Sequence, residues 1–394
     1  MRILQVISSL NPAHGGVSAC LDALTPELVK LGHTSEVVCL DDPNEPFLAA
    51  FPGPVHAIGP ARFSYQYSAQ LVPWLRRSAA RFDVVVVHGL WQFHGFAVHR
   101  ALGRKGAPPY FIFSHGMLDP WFKRQYPLKH VKKLLYWWPA ERRILRDAKA
   151  VLFTCEEERV LARGSFAGYR CRERVVAFGT VGASGDSAAQ REAFYGQVPA
   201  VRGKPFWLFL GRIHVKKGVD LLIEAYAKVA ANARGPLPSL VIAGPCNDPD
   251  YLRELQARAT RCPPGSVIWP GMITGPVKWG ALRAAETFVL PSHQENFGIA
   301  VAEALSCGTP VLISNRVNIW REIETDFAGL IEPDDAPGTT RLLTRWRGLD
   351  EVTQKKMSAA ANASFDRRFA IKSVALSLTA VLREETSSKI HLLE

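Results

Sequence analysis

LPSHQENFGIAVAEALSCGTPVL, residues 290–312, reads as the end of a strand, a loop, a helix opening near Gly298 and a turn into another strand. Thr287–Leu290, which leads into it, and Pro310–Ile313, which closes it, are short apolar runs, and the helical stretch Gly298–Ser306 lies between them. Strand, loop, helix and strand in this order form the repeating unit of a parallel α/β sheet. Glu295 and Glu303 stand eight positions apart, one on the loop and the other about a turn and a half inside the helix. The helix start between them offers unpaired N–H groups and the positive end of the macrodipole, a ready site for a diphosphate. Carboxylates beside a diphosphate would be repelled unless each faced sugar hydroxyls, whose hydrogens they accept well. One glutamate could then hold a ribose and the other a transferred hexose. Two isolated glutamates would say nothing of the kind; the surrounding Asn296-Phe297-Gly298, Ala/Leu helix and Cys-Gly-Thr-Pro turn supply the context.

The same alternation extends on both sides. Upstream lie strand Phe206–Leu210, helix Gly218–Ala231, strand Leu240–Ala243, helix Tyr251–Arg261, strand Val267–Trp269 and helix Val277–Ala285. The first half repeats it with candidate strands Ile3–Ser8, Glu36–Leu40, Val84–His88, Tyr110–Ser114 and Val151–Thr154, and helices Val17–Leu31 (with Pro26 at a kink or break) and Ala69–Arg81. Apolar on consecutive positions, these strands read as buried on both faces, as in a doubly wound sheet. Residues 182–204 lose the pattern and are rich in Gly, Ala and Ser, so they read as a linker. The expectation is α/β: two Rossmann-like domains facing a cleft, residues 1–181 and 205–370, with a C-terminal helix at about 371–388 packing back onto the first.

With 394 residues, 47% of them hydrophobic, the chain has enough apolar material for two such cores. No apolar run reaches the roughly 18–20 residues of a membrane span, and the opening MRILQVISSLNP reads as a strand rather than a signal peptide. Seven scattered cysteines without a Cys-x-x-Cys pair argue for reduced thiols in the cytoplasm and against a disulfide framework or zinc site. The net charge of +12 suits an anionic partner, whether nucleotide phosphates, a phospholipid surface or nucleic acid, or serves solubility alone.

Further candidates fall in loops after strands, where open α/β sheets bind ligands. In FLGRIHVKKGVDLLIEAYAKV, residues 209–229, Arg212 and Lys217 end a strand and precede a helix. Two cations there can neutralise charge on a departing diphosphate, although most basic turns are only solvated. Lys216 is the neighbouring alternative. After the first strand, Gly15-Gly16 precede a helix; they permit a tight turn or a close approach of backbone to ligand. His88 and His115 end strands, and His88 with Trp91 fits the acceptor side. Asp248-Pro249-Asp250 matches a metal-binding Asp-x-Asp pattern, but its place before a helix suits N-capping better. Residues 121–146 hold eight Lys/Arg against one acid, with five Trp/Tyr. That composition suits a phospholipid interface, single-stranded nucleic acid or a solvated helix face.

The 290–312 stretch resembles the E-x7-E signature of the family 4 retaining glycosyltransferases, and the 209–229 stretch resembles the same family's Arg–Lys segment. The resemblance covers most of the chain, most strongly residues 206–315. It implies the GT-B fold and hexose transfer from a UDP- or GDP-sugar to a hydroxyl acceptor, a lipid-linked or polysaccharide-precursor glycan. It also implies no metal or other cofactor. By resemblance Glu303 anchors the ribose and Glu295 touches the donor sugar; Asn296, Phe297, Gly298 and Ile299 serve the diphosphate and sugar; and Arg212 and Lys217 bind phosphates. Gly15 and Gly16 face donor sugar and acceptor, His115 contacts the reacting sugar, and Ile268–Ile273, Met272 included, lines the base. The implied mechanism retains configuration, with the leaving phosphate taking the acceptor proton. Sugar chemistry favours a membrane over nucleic acid as partner of 121–146, which would place the protein peripherally at the inner face of the cell membrane. The chain departs from the family at Phe178-Gly179-Thr180-Val181, where many relatives carry Pro-Asn-Gly-Val, and at Glu286, where aspartate is frequent. A nicotinamide-dependent oxidoreductase would want Gly-x-Gly-x-x-Gly after the first strand, which Gly15-Gly16 does not provide. An inert membrane or nucleic-acid binding protein would have no use for both donor motifs.

Overall fold

The computed structural model describes residues 1–125 and 127–387. The chain divides into two compact units, one of residues 1–180 plus the segment from Ile371, the other Val181–Ala370. Tyr126, inside the basic aromatic segment, and position 388, at the end of the expected C-terminal helix, lie outside the described residues.

The first unit is a seven-stranded, all-parallel sheet ordered β3-β2-β1-β4-β5-β6-β7. Its strands are β1 (Arg2–Val6), β2 (Thr34–Cys39), β3 (Val55–Ala57), β4 (Val84–His88), β5 (Tyr110–Phe113), β6 (Ala150–Phe153) and β7 (Glu173–Val175). The helices are α1 (Gly16–Lys30), α2 (Leu71–Ser78), α3 (Phe93–Leu102), α4 (Trp121–Gln125), α5 (Pro127–Tyr136), α6 (Arg142–Asp147) and α7 (Glu156–Ala162). β4, with four consecutive valines and a histidine, is buried throughout because helices cover both faces of the sheet. β3 and β7 escaped the sequence reading because each has three residues at a sheet edge, none of them buried. α1 continues through Pro26, whose missing N–H removes one intrahelical bond without ending the helix.

The second unit is a six-stranded, all-parallel sheet ordered β10-β9-β8-β11-β12-β13. It opens with α8 (Ser187–Gln197) and β8 (Phe206–Leu210), α9 (Val219–Ala231), β9 (Ser239–Ala243), α10 (Pro249–Ala259) and β10 (Val267–Gly271). Then follow α11 (Gly275–Ala284), β11 (Thr287–Leu290), α12 (Ile299–Ser306), β12 (Val311–Ser314), α13 (Trp320–Thr325), β13 (Gly329–Glu332), α14 (Ala336–Gly348) and α15 (Glu351–Ser364). β10 tolerates Pro270 because it is an edge strand.

Residues 182–204 are not the linker that their composition suggested. They carry α8, capped by Asp186, whose carboxylate accepts from the Ala188 and Ala189 amides. α8 packs so closely on α11 that a Cβ on Gly280 would lie 1.9 Å from the Gln190 carbonyl oxygen. Phe194 is fully buried. The glycine that allows this approach lies on α11, and only Gln190 and Phe194 of α8 are buried, too few to show as an apolar stripe in the sequence. The chain returns to the first unit through α16 (Ile371–Ser387), whose Val374, Ala375, Leu378 and Leu382 join Leu21, Leu24 and Leu28 of α1 in one core.

In each sheet the strand order reverses direction once, at β1/β4 and at β8/β11. Such switch points leave a crevice beyond the carboxyl ends of the two diverging strands. The loop after β1 leads to Gly15-Gly16, β4 ends in His88, and the loops after β8 and β11 carry Arg212, Lys217 and Glu295.

Candidate active site

In the second unit, the loops that follow β8 and β11 are built as one piece. After β8, Arg212 stands exposed, and a short helical turn, Val215–Lys217, ends at Gly218. Gly218 has φ 66°, and a Cβ there would sit 2.1 Å from the Pro291 carbonyl oxygen, so conformation and close approach both demand glycine. The Lys216 carbonyl accepts from the His293 amide and the Ser292 hydroxyl, each at 2.8 Å. Glu295 is fixed by its own backbone, its N–H donating to Arg316 O and its C=O accepting from Asn318 N–H, both at 2.9 Å.

Both signature glutamates hold lysines. Lys217 forms an ion pair with Glu295. Lys278, on α11, pairs with Glu303 at 2.7 Å, its ammonium also lying 4.3 Å from the Trp279 ring centre. These side chains are mostly buried, so the pairs are less screened than surface ones. The sequence reading missed Lys278, because a lysine in the first turns of a helix normally points to water and only the folded chain brings it to Glu303.

Gly298, with φ 75°, opens α12, and its carbonyl accepts from the Val301 and Ala302 amides. The first amides of that helix have no intrahelical acceptor. Asn296 accepts from the Asn318 side chain at 3.3 Å. Phe297 buries its ring edge-on against Phe369, leaving only its backbone for a ligand role, and Ile299 is the first helical residue. Met272 is 64% exposed just past β10, whereas Ile273 is buried. Asp248 caps α10, accepting from the Asp250 and Tyr251 amides at 3.1 and 3.0 Å, and Asp250 pairs with Arg253. His214 is held below its ordinary pKa by burial and then by Arg212, Lys216 and Lys217.

In the first unit the structure brings His88 and His115 together. His88 Nδ1 and His115 Nε2 are 3.1 Å apart, the rings are stacked, and His88 Nε2 meets Gln5 Oε1 at 2.8 Å. Burial lowers the His88 pKa well below the ordinary value, with His115 and His94 adding to it. Burial also pushes His115 down to about 3, although part of its surface is exposed. His115 has φ 47°, rare for a residue with a side chain. Glu158 on α7 clamps that turn: its buried carboxylate accepts from the Ser114 hydroxyl at 2.5 Å, the Gly116 amide at 2.6 Å and the Thr154 amide at 2.7 Å. Nothing in the Glu156-Glu157-Glu158 run singled it out in advance.

Gly15 has φ 110° and caps α1, which starts at Gly16; a Cβ at Gly15 would meet nothing within 4 Å. Backbone conformation therefore requires the glycine, and crowding does not. Trp91, also at positive φ, donates to Met117 O at 3.3 Å and carries the Lys133 ammonium 4.6 Å from its ring centre. Residues 121–146 form α4, α5, a wide turn at Trp137–Glu141 and most of α6. On α5 and the turn, Leu128, Val131, Leu135 and Trp138 are 86, 56, 75 and 51% exposed, beside exposed Lys129 and Lys132. No helix among the described residues is long and apolar enough to cross a membrane.

Comparison with known proteins agrees with this architecture. The model of the glycosyl transferases group 1 family matches residues 190–362, and that of the glycosyl transferase 4-like domain matches residues 15–179. The chain is 33% identical over 163 residues to a D-inositol 3-phosphate glycosyltransferase of Jonesia denitrificans, covering 40% of this chain and 37% of that one. It is 31% identical over 128 residues to the O-antigen chain mannosyltransferase B of Escherichia coli, covering 32 and 33%. The chain thus spans little more than a third of the length of these relatives. The Anabaena HepE structure in complex with UDP and glucose superposes with a TM-score of 0.69 at 19% identity, over 98% of this chain and 100% of that one. Sucrose-phosphate synthase from Thermosynechococcus elongatus gives 0.70 at 18%, over 98 and 100%. The fold is GT-B, and with both halves matched the chain belongs to the group 1 glycosyl transferases, its first half a glycosyl transferase 4-like domain.

Proposed function

We propose that the protein is a retaining glycosyltransferase that moves a hexose from a UDP- or GDP-sugar to a hydroxyl of a lipid-linked or polysaccharide-precursor glycan. The observation that carries the reading is the pairing of both signature glutamates with lysines at the mouth of the β8/β11 switch point. An anionic diphosphate can take over the lysines while each freed carboxylate turns to sugar hydroxyls. Arg212, Lys217 and the first amides of α12 then hold the diphosphate and stabilise it as it leaves. Glu303 takes the ribose, Glu295 the hexose, and the stretch of residues 268–273, with exposed Met272, the base. Binding interactions that strengthen as the sugar–phosphate bond breaks lower the barrier, so positioning and charge stabilisation suffice. The acceptor hydroxyl attacks from the face the diphosphate leaves, and the leaving phosphate takes its proton. In the first unit Gly15, Gly16 and His115 are assigned to sugar and acceptor, with Trp91 on the acceptor side. His88, expected there too, is buried with both ring nitrogens engaged and reaches a ligand only through His115.

The test is nucleoside diphosphate release from a panel of UDP-, GDP- and ADP-sugars with water as the slow acceptor, reading the anomer of the freed sugar. Release from a UDP- or GDP-sugar, lost in Arg212→Ala, with the donor's own anomer appearing first, supports the reading. Release of the opposite anomer would replace retention with inversion. No binding of any donor would end the assignment.

The exposed apolar stripe of α5 favours one further element, contact with an anionic membrane. Leu128, Val131 and Leu135 follow helical spacing on one face, flanked by exposed lysines. Such a helix lies at a phospholipid interface, where a lipid-linked acceptor would be found.

A further inference from the structure

The contact of His88 with His115 has a definite proton logic. Gln5, His88 and His115 sit on or just beyond three neighbouring strands, β1, β4 and β5. Gln5 and His88 are buried, and the His115 ring is wedged by Phe113 at 5.3 Å and by the edge of Phe178 at 5.7 Å. Each of the two bonds in this chain needs one hydrogen and one lone pair. Gln5 presents its carbonyl oxygen to His88 Nε2 at 2.8 Å, and a carbonyl only accepts. His88 therefore carries its proton on Nε2, and its Nδ1 is a bare lone pair. The hydrogen in the 3.1 Å contact then belongs to His115 Nε2, which leaves Nδ1 of His115 unprotonated.

We infer that Gln5, acting through His88, fixes the tautomer of His115 so that its Nδ1 is a hydrogen-bond acceptor for a hydroxyl-bearing ligand. Gln5 and His88 are positioning residues in this scheme. Desolvation keeps both rings neutral, without which the alternation of donor and acceptor would fail. Glu158 supplies the second constraint by clamping Ser114 and Gly116 on either side of His115, so both the ring's direction and its proton are set. The reverse seating of the Gln5 amide would shift every hydrogen by one place and end the chain in an N–H at His115 Nδ1. The buried Gln5 Nε2 makes no hydrogen bond in the seating observed. That the hydroxyl belongs to the transferred sugar or acceptor rests on the proposed transfer reaction; the tautomer does not.

The experiment is a two-bond proton–nitrogen correlation of the full chain labelled with 15N-histidine at pH 7, with His115 assigned from the spectrum lost in His115→Gln. The wild type should show His88 and His115 both protonated at Nε2 and bare at Nδ1. Gln5→Met and, separately, His88→Phe should leave His115 as a mixture of both tautomers, while His99, outside the chain of contacts, keeps its pattern. A wild-type His115 carrying its hydrogen on Nδ1 overturns the inference even if neither variant folds. So does a folded Gln5→Met or His88→Phe chain in which His115 keeps the wild-type pattern. None of these readings needs the donor or acceptor, so failure here and failure of the proposed transfer are separately visible.

Discussion

Glu295 and Glu303 show how a lysine partner changes what a substitution tests. Removing Glu295 deletes a hydroxyl acceptor but also frees Lys217 from its ion pair. Glu295→Gln should therefore leave donor affinity unchanged or tighter while turnover falls. Equilibrium titration beside single-turnover transfer checks this; weakened affinity with an unchanged single-turnover rate would place Glu295 in ground-state binding only. Arg212 stands exposed at the end of β8, and its planar fork suits phosphate oxygens. Arg212→Ala should cost about 2.7–4 kcal/mol in the transition state, roughly a hundred- to a thousandfold in rate. Arg212→Lys should not restore it, and equal single-turnover rates for wild type and Arg212→Lys would contradict that. The glutamates, Arg212 and Lys217 were legible in the sequence because each follows a strand at a characteristic spacing. Lys278 and Glu158 were not, since what marks them is a partner 25 and 42 residues away in the chain.

At the scale of elements, apolar runs made the central strands readable and their absence hid the edges. β3 and β7 have too few buried positions to stand out, and α8 reads as linker because Gln190 and Phe194 are its only buried residues. The basic segment poses the reverse case. Its sequence showed charge and aromatics, but only the folded chain shows that α5 leaves Leu128, Val131 and Leu135 in solvent rather than in the core. Lys129→Glu with Lys132→Glu should reduce recovery on vesicles containing anionic lipid, each basic residue near such a surface contributing about 1 kcal/mol. Leu128→Ser with Leu135→Ser should reduce it on anionic and neutral vesicles alike. Flotation in which all variants match wild type would return α5 to an ordinary solvated face.

At the scale of the molecule, buried histidines tie the first unit to pH. His94 is pushed down to about 4 and His115 to about 3, chiefly by burial, and His88 lies well below its ordinary value. Unfolding lets each take a proton near pH 6.5, so below that pH the unfolded chain binds more protons and stability falls. For His94 and His115 the fall should approach about 1.4 kcal/mol per pH unit each between pH 6 and 4.5, and His88 adds to it in the same direction. Glu141 works the other way: burial raises it to about 8, so its contribution declines as pH rises from 4.5 to 8. Glu141→Gln should thus be more stable than wild type at pH 8, with the gap closing towards pH 4.5. Denaturant midpoints across that range measure both effects; a constant gap would show that Glu141 is not held protonated.

The central claim is that the second unit recognises a nucleotide through Glu303 on its ribose and through cations on its diphosphate. Inorganic pyrophosphate shares the diphosphate and lacks the ribose, so the two contacts can be separated. The deciding measurement is calorimetric titration of wild type and Glu303→Ala with UDP, GDP and pyrophosphate. Loss of a charged hydrogen-bond partner costs roughly 1.5–3 kcal/mol, so the variant should bind the preferred nucleoside diphosphate about ten- to a hundredfold more weakly. Its affinity for pyrophosphate should hold or rise, because Lys278 is released from Glu303. Equal weakening for nucleotide and pyrophosphate, or unchanged nucleotide affinity, would contradict the ribose contact and the account built on it.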